Sequence, residues 1–576
     1  MTPQFLGRAI VRDRTWSWLL DAGVFAFAFA CVWAVVVIAR YWSGAAVPQA
    51  EISRSPSSLP LYAFYSLVRI GAAYLLSLIF AVAYGYMAAY SDRFRAVLLA
   101  ALDILQSIPV LSFLPGVMLA MVSLFPTRQL GLELGSIVLI FTGQVWNMAF
   151  SFYASLQAIP RELREAARIY NFSRWQRFVQ LELPYGAIGL VWNSMVSVAG
   201  GWFFLMACEM FVLGKRDFRL PGLGSYLQSA AGAGDTTALL WGIATMIGII
   251  VLLDQLIWRP IIAWADKFKM EQVESGAAPS SLVLRLLHKS PLLSKIRTSL
   301  TDPISERMAL YLARHHRSAS PAAVPVARRK IAGVLITVAL IAVVGIAFFD
   351  AFATLKGLPR ADFVITVKSA AVTFGRVATS LLIASAWTIP AGVAIGFNPK
   401  LARVVQPLAQ IAASVPATAL FPVLLLAIVS LGGGLGIGSI LLMLLGTQWY
   451  VLFNVIAGAM AIPSDLREAA DVFQFRSVER WRIVILPGIF PYLVTGLVTA
   501  SGGAWNASIV AEYFHFKGQV LSTFGLGAQI SSATDAGNFS LLLLSTIVMA
   551  AIVVSVNRLV WRPLYRLAET RYRIEA

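Results

Sequence analysis

The sequence is poor in the residues that build catalytic and metal sites. Its 576 residues include two cysteines and four histidines, and only 13% are charged. Cys31 and Cys208 lie in separate apolar stretches, so the chain has no clustered cysteine–histidine metal pattern. The phosphate-binding motif Gly-x-x-x-x-Gly-Lys-Ser/Thr is also missing, so the chain is not expected to hydrolyse ATP. We predict no catalytic residue, no metal site and no cofactor in it.

Long apolar runs are what the sequence has instead. Hydrophobic residues make up 59% of the chain, in runs such as Leu19 to Ile38 and Leu541 to Val554. Runs of about 20 apolar residues match a bilayer core about 30 Å thick, which predicts an all-α polytopic membrane protein. The short alternating segments of a membrane β-barrel are not visible. The first run is too long for a cleaved signal core, so we expect it to stay in the mature chain.

The chain divides into two six-span halves with a basic linker between them. We predict a first domain at 1–263, a cytoplasmic linker at 264–329 with an amphipathic helix near Leu282 to Leu287, and a second domain at 330–576. The predicted spans of the first half are 18–40, 64–90, 96–124, 135–159, 186–211 and 238–263. Those of the second half are 331–350, 370–397, 404–431, 436–461, 488–512 and 539–562.

The two halves are copies of each other. Shifts of 303–307 residues relate Arg69 to Arg376, Gly85 to Gly392, Pro109 and Pro115 to Pro416 and Pro422, Trp146 to Trp449, Gly222-Leu223-Gly224 to Gly525-Leu526-Gly527, and Trp258-Arg259-Pro260 to Trp561-Arg562-Pro563. An even number of spans per half predicts parallel repeats. The matched prolines inside the third spans predict kinks, and we favour a third span that lines a path over a plain structural kink.

Two charged loops of nearly the same sequence interrupt the apolar chain. Ile-Pro-Arg-Glu-Leu-Arg-Glu-Ala-Ala at 159–167 returns as Ile-Pro-Ser-Asp-Leu-Arg-Glu-Ala-Ala at 462–470, and each copy closes with Leu-Pro. The prolines suit helix starts, and the Arg-Glu-Ala-Ala runs have a high helix propensity. Acidic residues disfavour a helix that lies on lipid, so we predict short helices that dock in a groove of a protein.

These loops resemble the signature of the permease subunits of binding-protein-dependent ABC importers. The resemblance implies that each is a coupling helix, at about 160–184 and 463–487, that sits in a cleft of a cytoplasmic ATPase. The implied coupling residues are Pro160, Leu163, Glu165, Ala166, Ala167, Asn171 and Pro184, and Pro463, Leu466, Glu468, Ala469, Ala470, Gln474 and Pro487. The family usually has Gly where this sequence has Asn171 and Gln474. Because Gln in particular tolerates left-handed backbone poorly, we expect a turn of different shape.

Further motifs are similar to the nitrate/sulfonate/taurine/bicarbonate group of these permeases. They are Ser66-x-x-Arg69, Ser107-Ile108-Pro109, Leu114-Pro115, Ala207-x-Glu209 and Gly222-Leu223-Gly224, with counterparts in the second half. The resemblance covers roughly 60–263 and 365–565. It implies two permease domains fused in one chain, where the usual member is a homodimer of one. Fused halves can diverge, as where Trp202-Phe203-Phe204 stands opposite Ala504-Trp505-Asn506.

The resemblance also implies the partners. They are two cytoplasmic ABC ATPase subunits that bind ATP and magnesium, a periplasmic or lipid-anchored solute-binding protein, and a small anionic solute like nitrate, sulfonate, taurine or bicarbonate. The alternatives are a fused iron- or thiamine-type ABC permease, or a secondary transporter with two six-span halves. A signalling or scaffold protein explains neither the duplicated loops nor the kinked spans.

The basic residues predict the orientation. Most Lys and Arg fall in the segments that share a side with the N-terminus, which predicts a multi-pass protein whose N-terminus, linker and C-terminus are cytoplasmic. The resemblance implies that the membrane is the bacterial inner membrane. That bias accounts for most of the net charge of +18 without nucleic acid. The lipid bilayer is the expected surroundings.

Four charges fall near the outer ends of predicted spans: Arg69, Glu209, Arg376 and Glu512. One interpretation is an Arg–Glu ion pair in each half or snorkelling to the interface, and the other is an electropositive entry for an anion, helped by Lys215, Arg216 and Arg219. For the path itself we predict the fifth spans, through Asn193, Ser197, Gly200, Gly201 and Trp202, and through Ser501, Gly502, Gly503, Trp505 and Asn506. Plain helix packing explains the glycines equally well.

Overall fold

The computed structural model describes residues 51–91, 95–126, 129–213, 216–265, 351–430, 432–516 and 519–571, with isolated positions at 268, 299, 307, 345 and 349. The predicted spans 18–40 and 331–350 and the linker, with its predicted amphipathic helix, lie outside the described residues except for these positions and residues 264–265. Lys215 also lies outside them.

The described part of the first half is helical from Leu59 onward. Its helices are α1 (Leu59–Tyr90), α2 (Arg95–Ser107), α3 (Leu114–Leu124), α4 (Leu130–Ala158), α5 (Arg161–Ile169), α6 (Arg174–Arg177) and α7 (Leu183–Glu209). A short hairpin of β1 (Val212–Leu213) and β2 (Arg216–Asp217) follows, and then α8 (Leu223–Ala233), α9 (Thr236–Leu253) and α10 (Arg259–Ala265).

The second half repeats this order. Its helices are α11 (Arg360–Phe397), α12 (Pro399–Ser414), α13 (Ala417–Ser430), α14 (Leu435–Ala461), α15 (Ser464–Val472), α16 (Ser477–Arg480) and α17 (Leu486–Ala511). An antiparallel hairpin of β3 (Tyr513–Phe516) and β4 (Gln519–Ser522) leads to α18 (Leu526–Asp535), α19 (Phe539–Val556) and α20 (Arg562–Arg571). The hydroxyl of Tyr513 donates to Asp535 at 2.8 Å, and partial burial together with this bond raises the pKa of Tyr513.

Eight helical stretches of the described residues are long and apolar enough to cross a membrane. They are Pro56–Tyr90, Leu130–Ala158, Arg174–Glu209, Thr236–Ala265, Arg360–Phe397, Leu435–Ala461, Ser477–Ala511 and Phe539–Ala568. The prediction of an all-α polytopic membrane protein is therefore confirmed. Each of the eight corresponds to one predicted span, although several begin earlier than predicted.

Four of the eight stretches each contain one π-helical turn. These turns are Phe178–Glu182, Asp254–Trp258, Trp481–Ile485 and Asn557–Trp561, and a proline follows two residues after each of them. Proline has no N–H to give to the preceding turn, and a π turn widens the helix so that it can continue. Pro184 and Pro487 therefore lie inside continuous helices. The predicted starts of span five, at 186 and 488, are wrong by about a dozen residues.

The third predicted span of each half is broken rather than continuous. In the first half α2 ends at Ser107, Pro109 precedes a 3₁₀ turn at Val110–Phe113, and Pro115 lies in the first turn of α3. In the second half the break falls at Val415 and Pro416, while Pro422 lies inside α13. The matched prolines thus produce matched breaks, which is a stronger effect than the kink that the sequence predicts.

The two halves pack together through these broken helices. The 3₁₀ turn Val110–Phe113 packs against α17 of the other half, and α13 packs against α7 in return. The hairpins exchange in the same way, β3 with α8 and β1 with α18. The largest cluster of buried apolar residues draws on both halves, and Trp202 and Trp505 are its largest fully buried members. The broken helices and the fifth helices therefore form the contact between the halves.

Candidate functional site

The two short helices α5 and α15 are built alike. Pro160 and Pro463 cap their N-termini, as the sequence predicts. Ala167 and Ala470 are buried against the rest of their halves. At the C-terminal ends, Ile169 and Tyr170 are 76% and 75% exposed, and Val472 and Phe473 are 78% and 72% exposed. Each half therefore presents an exposed apolar and aromatic edge on a small helix between two membrane helices.

Both helices end in the same left-handed turn. Asn171 has a φ of 53° and Gln474 a φ of 52°, the two positive values among described residues other than glycine. The Phe172 N–H donates to the Ala167 carbonyl at 2.9 Å, and the Phe475 N–H donates to the Ala470 carbonyl at 3.0 Å. This is the Schellman motif, in which glycine is the usual left-handed residue. The expectation of a differently shaped turn is therefore wrong. The hydrogen bonds hold the backbone of Asn171 and Gln474 in the left-handed conformation that glycine usually adopts in this motif.

The arginine that both short helices have at the same position faces its own half. Arg164 donates to the Leu156 and Gln157 carbonyls at 2.9 and 3.1 Å, which satisfies the end of α4. Arg467 instead lies over the ring of Phe397, with its guanidinium carbon 5.4 Å from the ring centre. Glu165 and Glu468 are both exposed. The acidic residues of the two loops therefore face outward while the arginines between them hold the helices in place.

A second arginine behaves differently in the two halves. Arg177 forms an ion pair with the buried Glu182 at 2.7 Å, and the Tyr90 hydroxyl donates to the same carboxylate at 2.6 Å. The residue equivalent to Glu182 is Ile485, which is buried. Arg480, equivalent to Arg177, pairs with Asp471 of α15 at 2.8 Å instead. The arginine is kept and its partner moves from the interior to the surface of the short helix.

The contact between the halves contains neutral polar groups. The Leu111 N–H donates to the side-chain oxygen of Asn506 at 3.4 Å, and the Thr546 hydroxyl donates to the Ser112 carbonyl at 3.2 Å. A Cβ placed on Gly200 would lie 3.5 Å from the Tyr450 hydroxyl of the other half. The ring of Tyr450 lies beside Gly503 of its own half. Tyr450 therefore reaches between the two fifth helices.

The predicted path residues divide into two groups. Asn506 lies at the half-to-half contact, as described. Asn193 donates to Ser151 and Gly189 at 3.0 Å within its own half, and the Gln144 amide covers Gly201. Ser197, Ser501, Trp202 and Trp505 are buried. The structure thus brings Asn506, Gly200 and Gly503 to the contact and turns Asn193 toward its own half.

The fifth helices correspond to each other with a shift that differs by one residue from the predicted alignment of Trp202 with Ala504. Glu209 and Glu512 occupy equivalent positions in the structure, which fixes the shift at 303 and pairs Trp202 with Trp505 rather than with Ala504. The halves diverge at the next position, where Phe203 stands in one and Asn506 in the other. The expected divergence is real, and it exchanges an aromatic ring for an amide that bonds across the contact.

The first half buries a cluster of three charges at its opposite end. Arg69 binds Glu133 through Nε and Nη2, at 2.6 and 2.7 Å, and Glu209 through Nη1 at 2.7 Å. Ser66 donates to Glu209 at 2.7 Å, and the Gly224 N–H donates to its other oxygen at 2.7 Å. All three charged side chains are at most 1% exposed. Of the two interpretations, these contacts match the ion pair rather than an open entry for an anion.

The second half has the same arrangement with one charge fewer. Arg376 binds Glu512 at 2.8 Å, and the Thr373 hydroxyl and the Gly527 N–H also donate to this carboxylate. The position of Glu133 is Gly436 here, and the guanidinium donates to the Thr523 hydroxyl instead at 2.8 Å. Arg376 is 12% exposed.

The Gly-Leu-Gly motifs follow from these clusters. A Cβ on Gly222 would overlap the carboxylate of Glu209, and a Cβ on Gly525 would overlap that of Glu512. The motif therefore lets the start of α8 or α18 lie directly on a buried carboxylate and donate backbone N–H groups to it. Sequence reasoning missed Glu133, Thr373 and Tyr450. Thr373 could have been found as the counterpart of Ser66, and Glu133 as a lone acid in an apolar stretch.

Comparison with known proteins agrees with this geometry. The family model described as "Binding-protein-dependent transport system inner membrane component" matches twice, at residues 73–257 and 388–573. The chain belongs to this family. The two matches cover most of the described helices of each half, so the chain carries two permease domains of a binding-protein-dependent transport system. Membership in this family excludes the secondary-transporter alternative.

Individual relatives of the chain are named as permease proteins of import or transport systems. The chain is 27% identical over 190 residues to the nitrate import permease protein NrtB of Leptolyngbya laminosa, which covers 33% of this chain and 64% of the relative. It is 28% identical over 204 residues to the bicarbonate transport system permease protein CmpB of Synechococcus elongatus, covering 35% and 69%. It is 29% identical over 188 residues to the taurine transport system permease protein TauC of Escherichia coli, covering 32% and 61%.

Proposed function

We propose that this chain is the transmembrane permease subunit of an ATP-driven importer, in which its two domains form the solute path and each of α5 and α15 binds one cytoplasmic ATPase subunit. The observation that carries the proposal is the pair of exposed edges at Ile169–Tyr170 and Val472–Phe473. An apolar edge on a short polar helix fits a groove on a protein. The Schellman turns hold both edges in one shape.

The ATPase subunits supply the ATP and magnesium sites, because this sequence has no Gly-x-x-x-x-Gly-Lys-Ser/Thr motif. With α5 and α15 on the cytoplasmic side, as the distribution of basic residues predicts, the carboxylate clusters face the other side, where a periplasmic or lipid-anchored solute-binding protein delivers the solute. The protein then lies in the bacterial inner membrane with its N-terminus, linker and C-terminus in the cytoplasm.

The solute is a small anion. Support comes from the relatives, which are nitrate, bicarbonate and taurine permeases by name. The polar groups that we place at the half-to-half contact, Asn506 and Tyr450, are neutral hydrogen-bonding groups. Neutral donors bind an anion without holding it as strongly as a fixed cation would, which suits passage rather than retention.

The test of the ATPase role is charge reversal on both short helices. Glu165→Lys with Glu468→Lys changes two exposed side chains, so the protein is expected to insert and fold normally. It should lose about tenfold or more of its co-purified ATPase, because like charges across an interface cost several kcal/mol. Glu51→Lys, an exposed reversal at the opposite end, is the matched control and should retain the ATPase. Unchanged ATPase binding in the double variant would contradict the docking role.

The test of transport is uptake into proteoliposomes that contain the permease and its ATPase subunits, with the solute-binding protein outside. Labelled nitrate, bicarbonate and taurine are compared with an iron chelate and thiamine. Uptake of at least one anion should require ATP in the vesicle lumen, on the side of the membrane where the ATPase subunits are bound. Uptake driven by an ion gradient without ATP would exclude the proposed mechanism, and uptake of thiamine or iron alone would exclude the anion.

A further inference from the structure

The fifth helices α7 and α17 bring unlike stripes to the half-to-half contact. Three equivalent positions are polar or small on α17 and apolar on α7: Thr499, Gly502 and Asn506 against Val196, Ala199 and Phe203. Spacings of three and four residues place each set on one side of its helix. On α17 this side includes Asn506, which accepts the bond from the Leu111 N–H of the other half. On α7 it includes Gly200, where a Cβ would lie 3.5 Å from the Tyr450 hydroxyl. The second half therefore carries the polar side of the contact.

Open space borders the polar stripe of α17. Polar groups on a membrane helix are costly against lipid tails, so they face protein or a water-filled cavity. A Cβ on Gly502 would meet nothing within 4 Å. The Thr499 hydroxyl donates to the Thr495 carbonyl at 3.0 Å, so it offers a solute lone pairs rather than a proton. Donors for an anion must therefore come from other side chains near this space.

Tyr450 and Asn506 supply those donors. A Cβ on Gly503 would lie 3.6 Å from the Tyr450 ring, and the hydroxyl reaches on to Gly200 of the other half. Among the described residues, this hydroxyl has no hydrogen-bond partner. Asn506 donates to the Gly502 carbonyl at 3.1 Å, which uses one of its two amide hydrogens. One O–H and one N–H are thus available at the contact, and both come from the second half.

The first half has its aromatic and amide residues at exchanged positions. Asn147 stands at the position of Tyr450, and Phe203 stands at that of Asn506. In the described structure no atom of Asn147 lies within 4 Å of a Cβ placed on Gly200. The short asparagine therefore does not reach between the fifth helices as Tyr450 does, and Phe203 offers an apolar ring where the second half offers an amide.

We propose that the second half alone binds the solute by hydrogen bonds, through the Tyr450 hydroxyl and the Asn506 amide, while α7 lines the path with apolar groups. The ligand is a small oxyanion, whose oxygens accept both bonds. Two identical halves would present the same residue twice at each position, so a one-sided site depends on the divergence of the halves. The inference rests on the proposed function, since it names the groups that contact the solute in the same path.

The test uses proteoliposomes that contain the full chain with its ATPase subunits, and an excess of loaded solute-binding protein outside. The probe is the one of labelled nitrate, bicarbonate and taurine that the wild-type system takes up fastest. Uptake and ATP hydrolysis are measured in the same vesicles, and their ratio gives the number of solute molecules moved per ATP.

Three variants separate a solute contact from a structural role. Tyr450→Phe removes the donor and keeps the ring. Tyr153→Phe is the matched control on the fourth helix of the other half, because Tyr153 packs against a buried cluster made only of first-half residues. Asn147→Ala tests the position that is equivalent to Tyr450.

The number of solute molecules moved per ATP should fall about tenfold in Tyr450→Phe, as expected for one lost hydrogen bond to a charged group. Tyr153→Phe and Asn147→Ala should keep the wild-type ratio. A wild-type ratio in Tyr450→Phe would overturn the inference, even where both rates fall together, because that result indicates a structural role. An equal loss in Asn147→Ala would overturn the one-sided site. A wild-type chain without ATP-dependent uptake would instead overturn the proposed function itself, so the two failures are distinct.

Discussion

The buried charge clusters at the ends of the fifth helices show what the two halves share and where they differ. Around Glu209 and around Glu512 the arrangement is the same: a hydroxyl side chain, an arginine three residues further along the same helix, and a glycine N–H from the following helix all donate to the carboxylate. The first half adds Glu133, and the second half has Gly436 and the Thr523 hydroxyl in its place. The cradle for one carboxylate is thus kept, and the second carboxylate is optional.

The two halves therefore keep the same backbone arrangement while the number of buried charges differs. Arg69 compensates two carboxylates, whereas Arg376 compensates one and is partly exposed. Removing one partner of a buried ion pair leaves an uncompensated charge, which costs about 3–5 kcal/mol. The two arginines should therefore respond unequally to the same substitution.

The largest effect is expected from Arg69→Met. It leaves Glu133 and Glu209 buried together without their cation, and it should destabilise the protein by about 3–5 kcal/mol. Arg376→Met should cost less, because Glu512 keeps its bonds from Thr373 and Gly527 and the site is partly exposed. Chemical denaturation in detergent, followed by tryptophan fluorescence, measures both. Equal losses would show that Glu133 adds nothing to the burden on Arg69.

Gly222→Ala and Gly525→Ala should disturb the binding sites for the Glu209 and Glu512 carboxylates to the same extent in both halves. Each added methyl group overlaps a carboxylate, and overpacking of this kind costs about 1–3 kcal/mol. Gly232→Ala, where a Cβ meets nothing within 4 Å, is the matched control and should leave stability unchanged or slightly raised. A cost confined to one half would mean that the two cradles are not equivalent.

Asn506→Leu tests how much the hydrogen bond across the half-to-half contact contributes to stability. This variant removes the acceptor for the Leu111 N–H and should cost about 1 kcal/mol, the net contribution of one hydrogen bond. Phe203→Leu, at the equivalent position of the other half, removes no hydrogen bond and serves as the control. The unfolding midpoint of each variant decides the comparison, and a larger loss for Phe203→Leu would reverse it.

The smallest effects are expected at the left-handed turns. Gln474→Gly should stabilise the protein by about 0.5–1 kcal/mol, because glycine adopts positive φ without strain. Asn171→Gly should stabilise it by less, since Asn tolerates this conformation better. Gln474→Ala, which keeps the strain, should give no gain. Destabilisation by both glycine variants would show that the side chains make contacts that outweigh the backbone strain.

Sequence reasoning predicted the elements well and their ends less well. Apolar run length predicts the eight described membrane helices, and the duplicated loop predicts α5 and α15 with their proline caps. The starts of the fifth helices were wrong because a π turn before Pro184 or Pro487 is a matter of hydrogen-bond geometry that no residue spacing shows. The Arg69–Glu209 pair could be anticipated, but the bond to Glu133 joins residues on two helices that only the fold brings together.

The helix from Arg174 to Glu209 runs for 36 residues without interruption, about 54 Å at 1.5 Å per residue. It begins next to α5, passes Gly200 at the half-to-half contact, and ends in the cluster around Arg69. Its π turn contains one residue more than an ordinary turn. Every later side chain is therefore rotated by about 100° about the helix axis, relative to a helix without the extra residue. Deleting a single residue there would rotate both Gly200 and Glu209 away from their partners. The π turn therefore fixes the orientation of the half-to-half contact and of the buried charge cluster at the same time.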